Sequence, residues 1–183
     1  AGVASHAAAA WPSGSMKRIQ REMAEMSKRQ SQQFYAGPKG DNLHEWAAIL
    51  DGPEGTPYHG GSLPPTPSPS PSHTAQPPTT PPAGTFFLDL HIPLDYPFKA
   101  PTVIFHTRIF HCNVNAAGQV RLGMLAEEWS PALTVTRVLQ ALVALLRECD
   151  VAKPLVHSIA SMYTENREKH DEIAADWTRR FAT

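Results

Sequence analysis

The sequence predicts an α+β fold in which one helix precedes a group of antiparallel strands and further helices follow them. Two observations carry this prediction. The run LTVTRVLQALVALLREC is the most apolar part of the chain and has the spacing of a helix. The runs FFLDLHI and TVIF are short, rich in aromatic and β-branched residues, and joined by a stretch that contains prolines. A chain of 183 residues is long enough for one such domain.

The first helix is predicted to follow a short N-terminal extension. Residues 1–15 are small and polar, and we expect them to be disordered. In SMKRIQREMAEMSKR, the residues Ile19, Met23 and Met26 recur at helical spacing, with charged residues on the other faces. Ser15 is expected to cap the first turn. This pattern is typical of a surface helix with one buried stripe.

Three strands are predicted from the residue pattern. LHEWAAILDGPEGTPYHGG indicates a strand that leaves through a Gly/Pro turn. FFLDLHI indicates a second strand and TVIF a third, with DYPFKAP as a proline-fixed crossing between them. Short strands of this kind that follow one another along the chain favour an antiparallel sheet.

Two helices are predicted after the strands. In the first, Thr134 is expected to be the N-cap of a buried central helix whose apolar stripe is wide. The stripe consists of Val135, Val138, Leu139, Leu142, Val143 and Leu146. The second, TENREKHDEIAADWTRRF, is polar, and we expect Ile173, Ala174 and Trp177 to face inward.

A proline-rich segment interrupts the predicted sheet at residues 62–85. It holds half of the eighteen prolines and few aliphatic residues, so we expect it to be disordered or polyproline-like. Loop closure costs grow only slowly with length, so a fold tolerates such an insertion. PPTPSP offers the PxxP spacing of ligands for proline-recognising domains. An inert insertion or translated intron sequence is the alternative, and we favour it.

Composition excludes several classes of function. Sixteen basic and seventeen acidic residues give a net charge of -1, which argues against a nucleic-acid binder driven by overall charge. No apolar run approaches the ~20 residues of a membrane span, and the alanine-rich start lacks the features of a signal peptide. Two cysteines do not make a disulfide framework. We therefore expect a monomeric cytoplasmic or nuclear protein.

A series of motifs resembles the ubiquitin-conjugating enzymes. KRIQRE, AGPKGDN, GPEGTPYHGG, YPFKAP, HCNVN, WSPALTV and TRRFAT occur in the family's order, over residues 16–61 and 86–183. The resemblance is closest to the class E-type members, which also carry Cys after His. It implies the ubiquitin-conjugating (UBC) fold: a four-stranded antiparallel meander with an N-terminal helix, a central helix and C-terminal helices.

The resemblance also implies an activity and its partners. The family carries ubiquitin as a thioester on a cysteine and passes it to a lysine, guided by RING-type ligases. The expected partners are therefore these ligases, together with ubiquitin and the activating enzyme. No cofactor is expected, since ATP is used only by the activating enzyme, and no metal is expected.

The catalytic positions of the family are altered in this sequence. Laid on the family's loop without gaps, the nucleophilic cysteine falls on Arg121 and a following aspartate on Gly123. A guanidinium is permanently charged and is no nucleophile. The family's acidic helper position falls on Lys153, which reverses the charge. Asn113 is retained at the oxyanion position, although an asparagine in such a turn equally serves to hold the loop by local hydrogen bonds.

The sequence contains other candidate nucleophiles and metal ligands. Cys112 lies beside His111 and is a candidate substitute nucleophile, but neighbouring residues in a loop usually point apart. Cys149 is expected to be a small core or boundary residue. A metal site formed by His106, His111 and Cys112 lacks a second close ligand pair and is set aside.

The resemblance also implies a ligase-binding surface. It consists of Lys17, Arg18, Phe98, Ser130, Pro131 and Ala132. An apolar residue ringed by prolines, as Phe98 is, makes a suitable interface anchor. The alternative is that Phe98 packs partly inward, with Trp129 and Pro97 pinning the loops. A serine that receives a second ubiquitin in the family is replaced by Tyr35.

These observations support three hypotheses. The first is a catalytically inactive member of the ubiquitin pathway that binds RING ligases or ubiquitin. The second is an active conjugating enzyme that uses Cys112, or whose sequence is in error at residue 121. The third is a decayed gene copy, which the proline-rich interruption and the changes at Arg121 and Lys153 also fit.

Overall fold

The computed structural model describes residues 14–28, 31, 33–60 and 84–182. Within these residues, helices flank one four-stranded sheet, which confirms the predicted α+β class. The elements are α1 Gly14–Lys28, β1 Phe34–Lys39, β2 Asn42–Asp51, β3 Thr85–His91, β4 Thr102–Phe105, α2 Val135–Arg147, α3 His157–Glu165 and α4 Arg167–Phe181. A short 3₁₀ turn, Gly123–Leu125, lies between β4 and α2.

The sheet is an antiparallel meander. Its strands lie in chain order, β1-β2-β3-β4, and every neighbouring pair is antiparallel. Leu50 of β2 lies opposite Phe86 of β3, and Leu88 of β3 lies opposite Phe105 of β4. This topology confirms the fold implied by the family resemblance. The first strand, FYAGPK, was implied only by that resemblance and not by its own residue pattern.

The core lies between one face of the sheet and α2. Along β3, Phe86, Leu88 and Leu90 are buried while Phe87 is exposed, because side chains alternate between the two faces of a strand. All six residues of the predicted α2 stripe are buried, and the hydroxyl of Thr134 accepts the Arg137 N–H as the N-cap. The sequence pattern therefore identified both halves of the core.

A buried carboxylate, Glu22, joins three separate parts of the chain. One of its oxygens, Oε1, accepts the Arg18 guanidinium at 2.5 Å and the Tyr96 hydroxyl at 2.7 Å. The other, Oε2, accepts the backbone N–H of Val135 at 2.8 Å, at the start of α2. Glu22 thus fixes α1 and the loop after β3 to the central helix. Its helical position gave no sign of this role, since glutamates usually lie at the surface.

Some predicted boundaries differ from the structure. The first helix begins at Gly14, so Ser15 lies buried inside its first turn and is not the N-cap. The polar C-terminal helix begins at Arg167, because the Asn166 side chain accepts the Lys169 N–H and starts a new helix after α3. In α4, Ala174 is buried, whereas Ile173 and Trp177 are only partly buried.

The predicted extension and insertion fall almost entirely outside the described residues. This applies to residues 1–13 and 61–83. Gly84 and Thr85, assigned to the insertion from the sequence, belong to the fold. Gly84 accepts the Gly52 N–H at 2.7 Å, and Thr85 begins β3. None of the helices within the described residues combines the length and the apolar character that crossing a membrane requires.

We expect deletion of residues 62–83 to leave the melting temperature unchanged or higher. Deletion of residues 62–85 is the matched comparison and should lower it, because it also removes Gly84 and Thr85, whose backbone groups bond to those of Gly52 and Ala182 at 2.7 Å each. Thermal unfolding of the two variants and the full chain, followed by circular dichroism, makes the comparison. A shorter deletion that melts well below the full chain would contradict the prediction.

Candidate functional site

An irregular hairpin, residues 111–122, forms the candidate site and packs on the free edge of β4. Val114 pairs with Val120 across the hairpin, and Gln119 pairs with Ile104 of β4. Gly118 has a φ of 77°, and a Cβ there would lie 2.0 Å from the Phe105 carbonyl oxygen. A glycine is therefore required at this position. The small-residue turn predicted from the sequence is what brings the hairpin against the sheet.

Arg121 lies at the surface, at the end of the hairpin. Its backbone N–H donates to the Asn113 carbonyl oxygen at 2.9 Å, which sets its position, while its side chain is exposed. It lies on the wall of a groove between β4 and the segment that follows the hairpin. The groove is lined by residues that include Thr102, Ile104, Gln119, Val120, Leu122, Leu125, Ala126 and Leu155. A side chain at position 121 is thus open to a partner that occupies this groove.

The charges around Arg121 are both positive and negative. Lys153 forms an exposed ion pair with Glu127. This hydrogen-bonded pair raises the pKa of Lys153 and lowers the pKa of Glu127, and the field of Arg121 reaches both groups. Lys153 therefore keeps its charge at neutral pH. With Glu128, whose charge also acts on Lys153, two cations and two carboxylates share this surface.

Gly123 lies beneath a carboxylate. A Cβ at this position would lie 2.7 Å from Oε1 of Glu128, and the backbone N–H of Glu128 donates to the Gly123 carbonyl oxygen at 3.0 Å. The acidic group nearest to position 123 is therefore supplied by Glu128 from the adjoining turn. The sequence spacing alone did not identify Glu128 as part of the site.

The Asn113 side chain is buried and joins the hairpin to the connection between α2 and α3. Its amide nitrogen donates to the carbonyl oxygens of Asp150 at 2.9 Å and Lys153 at 3.3 Å. Its amide oxygen accepts the Asp150 N–H at 3.0 Å. In this arrangement both amide hydrogens are directed at backbone carbonyls. The geometry is that of a loop-holding asparagine, and the oxyanion role would require one of these bonds to open.

Behind the hairpin, His111, Cys112 and Cys149 form a buried cluster. The Cys112 side chain is fully buried, with its Sγ 3.1 Å from Oδ1 of Asn113. Its interaction with Cys149 and its burial raise the pKa of the Cys112 thiol well above the usual range. The backbone of Cys112 is also bonded to the segment before α3, since the Cys112 carbonyl oxygen accepts the N–H groups of Leu155 and Val156. Cys112 therefore points into the protein and away from Arg121's groove.

The three candidate metal ligands, His106, His111 and Cys112, do not lie together in the structure. His106 is exposed and pairs with Asp89 at 2.6 Å on the sheet, apart from the buried pair His111 and Cys112. Donor atoms of His111, Cys112 and Cys149 do lie within 4.8 Å of one another. However, Nδ1 of His111 accepts the Asn113 N–H, so Nε2 carries the hydrogen that it donates to the Leu145 carbonyl oxygen. As placed, His111 has no free lone pair to offer a metal.

The residues of the predicted ligase-binding surface differ in availability. Phe98 is 78% exposed, so it does not pack inward, and Leu94 beside it is 77% exposed. Lys17 is exposed on α1. Arg18, in contrast, is held by Glu22 and also donates to the Leu133 carbonyl oxygen at 3.0 Å. Its charge therefore serves to attach α1 to the loop before α2.

That loop carries the three remaining predicted residues. Pro131 and Ala132 are exposed and Ser130 is partly buried. The indole N–H of Trp129 donates to the Pro97 carbonyl oxygen at 2.8 Å, which fixes this loop against the one that presents Phe98. The pinning role expected for Trp129 is confirmed by this contact. All six residues of the predicted surface lie on α1 and these two joined loops.

The sequence profile of the family described as ubiquitin-conjugating enzyme matches residues 18–68 and 70–178. The chain belongs to the ubiquitin-conjugating enzyme family. The second matched segment contains the whole hairpin, Arg121 and Lys153, so the altered positions lie inside the matched region. The family resemblance inferred from the motifs is confirmed.

Solved structures from this family superpose on the chain. One is assigned as a ubiquitin conjugating enzyme from Plasmodium yoelii; it is 33% identical, covers 94% of this chain and 98% of its own, and has a TM-score of 0.76. Another is the E2 domain of a ubiquitin conjugating enzyme from Toxoplasma gondii, 30% identical, covering 91% of this chain and 98% of its own, with a TM-score of 0.72. The match therefore extends over nearly the whole length of both solved chains.

We expect Asn113→Ala to lower the free energy of unfolding by ~1–3 kcal/mol, because it takes away the side-chain partner of part-buried backbone groups in the α2–α3 connection. Asn115→Ala is the matched control in the same hairpin. Its side chain bonds are exposed to water, so it should cost no more than about 1 kcal/mol. Urea unfolding measures both. Equal losses for the two variants would refute the loop-holding role of Asn113.

Proposed function

We propose that this UBC domain is a binding module of the ubiquitin pathway that does not itself carry ubiquitin. The observation that supports this most directly is Arg121, an exposed arginine where the family resemblance places the nucleophilic cysteine. Thioester formation needs a thiolate. A guanidinium with a pKa above ~12 provides neither the sulfur nor the electron pair. We further propose that the protein works as a monomer in the cytoplasm or nucleus.

Cys112 is poorly placed to replace the missing nucleophile. Its side chain is fully buried and its thiol has a raised pKa, so the reactive thiolate is scarce and out of reach of a peptide C-terminus. Cys149 is also buried. These placements favour the binding module over an enzyme with a displaced nucleophile.

A second surface, away from Arg121, has the features of a protein-binding site. Two large apolar side chains, Leu94 and Phe98, project from one loop beside the exposed Pro131 and Ala132. Their loops are fixed to each other by Trp129 and to α1 by Arg18. Rigid presentation of an exposed aromatic side chain is the usual design of an interface anchor. We propose that RING-type ligases occupy this surface.

The test of inactivity is a charging reaction. Incubated with activating enzyme, ATP and ubiquitin, the protein should form no thiol-sensitive ubiquitin adduct on a non-reducing gel. Arg121→Cys should permit charging, because position 121 is exposed on the groove and its backbone is held by Asn113. The variant therefore controls for the activating enzyme and for folding. An adduct on the parent protein that Cys112→Ser abolishes would make it an active enzyme.

Discharge of the Arg121→Cys thioester to free lysine should remain slow. Lys153 keeps a positive charge beside the site and repels the incoming amine, where the family places an acid. Adding Lys153→Asp should raise the single-turnover discharge rate by ~10–100-fold. Lys169→Asp, an exposed change of the same charge on α4, is the matched control and should leave the rate unchanged.

Phe98→Ala should weaken binding to a RING domain by ~1–3 kcal/mol. Phe87→Ala is the matched control, since Phe87 is an exposed phenylalanine on the sheet and not on this surface. Titration calorimetry with purified RING domains measures both. If the parent protein binds no RING domain in a panel, the binding-module proposal is lost, and the decayed gene copy becomes the better explanation of the changes at Arg121 and Lys153.

A further inference from the structure

The chain contains only two cysteines, and the fold places them together. The sulfur atoms of Cys112 and Cys149 lie within 4.8 Å of each other, although the residues belong to the hairpin and to the end of α2. The proposed function uses neither thiol. Two neighbouring thiols can be joined by oxidation when one of them has thiolate character, so the surroundings of each thiol matter.

The two thiols have different surroundings. Cys112 faces acceptor oxygens, Oδ1 of Asn113 at 3.1 Å and the Asp150 carbonyl oxygen at 3.9 Å. Such oxygens favour the protonated thiol. Cys149 instead lies 3.5 Å from Nε2 of His111, the nitrogen that carries the hydrogen. An N–H donor favours a thiolate, so the geometry makes Cys149 the more acidic of the two.

A second imidazole completes the surroundings of Cys149. His170 is 1% exposed, and its Nδ1 is 2.8 Å from Oδ1 of Asp171. Within the part of the chain that the structure describes, its buried Nε2 has no hydrogen-bond partner. Interaction with Cys112 and with both imidazoles lowers the pKa of Cys149 despite its burial. Burial alone would lower the pKa of His170, but its interactions with Cys149 and Asp171 raise it above the ordinary value.

We propose that Cys149 and Cys112 form a hydroperoxide-reactive thiol pair, with Cys149 the attacking thiol and Cys112 the resolving one. Cys149 is 8% exposed, which excludes a peptide but leaves access for a ligand as small as hydrogen peroxide. We assign the role of proton donor to His170, a buried imidazole that is oriented by Asp171 and whose pKa is raised by its interaction with Cys149. The Nε2–H of His111, which donates to the Leu145 carbonyl oxygen, also lies 3.5 Å from the same sulfur.

The reaction balances with the hydroperoxide as the only co-reactant. The Cys149 thiolate attacks the terminal peroxide oxygen; an S–O bond forms, the O–O bond breaks, and the leaving alkoxide or hydroxide takes the proton held by His170. Cys112 then attacks the sulfur of the Cys149 sulfenic acid. The S–S bond forms, the S–O bond breaks, and hydroxide leaves with the Cys112 proton as water. The sulfurs lose two electrons and the peroxide gains them.

The fold already holds the two segments together. The Leu155 and Val156 N–H groups donate to the Cys112 carbonyl oxygen at 2.8 and 2.9 Å, and Asn113 bonds to Asp150 directly after Cys149. Forming a disulfide therefore requires the sulfurs to approach to ~2.05 Å without bringing distant parts of the chain together. The bond would lock the hairpin to the end of α2.

The experiment treats the full chain with one equivalent of hydrogen peroxide. Intact mass spectrometry should show a loss of two hydrogens, and thiol titration in denaturant should fall from two groups to none, both reversed by dithiothreitol. In Cys112→Ser, a dimedone adduct should accumulate on Cys149. In Cys149→Ser, the remaining Cys112 should react at least about 10-fold more slowly. Both are near-isosteric changes that preserve the fold.

A further variant tests the role of His170. His170→Gln should slow formation of the Cys149 sulfenic acid by at least about 10-fold, whereas His157→Gln, an exposed histidine on α3, should leave the rate unchanged. Circular dichroism checks that each variant is folded. Two thiols that survive peroxide, disulfides only between separate molecules, or equal reactivity of the two serine variants would each overturn the proposal, whether or not His170→Gln folds.

Discussion

The amide side chain of Asn113 is the contact on which the site depends. It donates to two carbonyl oxygens of the α2–α3 connection and accepts one N–H from it. The backbone carbonyl oxygen of the same residue accepts the Arg121 N–H. Because these bonds are part-buried, removing the amide would cost stability by taking away the side-chain partner of each backbone group. One residue therefore sets the distance between Arg121, Lys153 and the two thiols.

On the other side of the molecule, the buried carboxylate of Glu22 has a similar part. It joins α1, the loop that presents Phe98 and the first turn of α2, while Arg18 extends the connection to the loop of Pro131. A buried charge is stable only when its hydrogen bonds are complete, so these elements have little freedom to shift. The loops of Phe98 and Pro131 and the hairpin that carries Arg121 are thus held by independent polar networks within one fold.

The contrast between the two surfaces underlies the proposed function. At the groove, Arg121 and Lys153 place positive charge where the family resemblance implies a thiol and an acid. At the loops of Phe98 and Pro131, the apolar exposure is retained. The fold does not depend on Arg121 or Lys153 for its stability, since both side chains lie at the surface. A UBC domain can therefore lose its nucleophile and still present a folded binding surface.

The sequence by itself determined what depends on local order and on residue chemistry. The apolar periods of α1, β3 and α2 were predicted, because neighbours along the chain share a face at fixed spacing. The absence of a thiol at position 121 also needs no structure. Only the tertiary structure decided that Glu22 is buried and that Cys112, Cys149 and His170 share one pocket. Those residues are far apart in the chain. The spacing of apolar residues within one element does not predict which residues of another element pack against it.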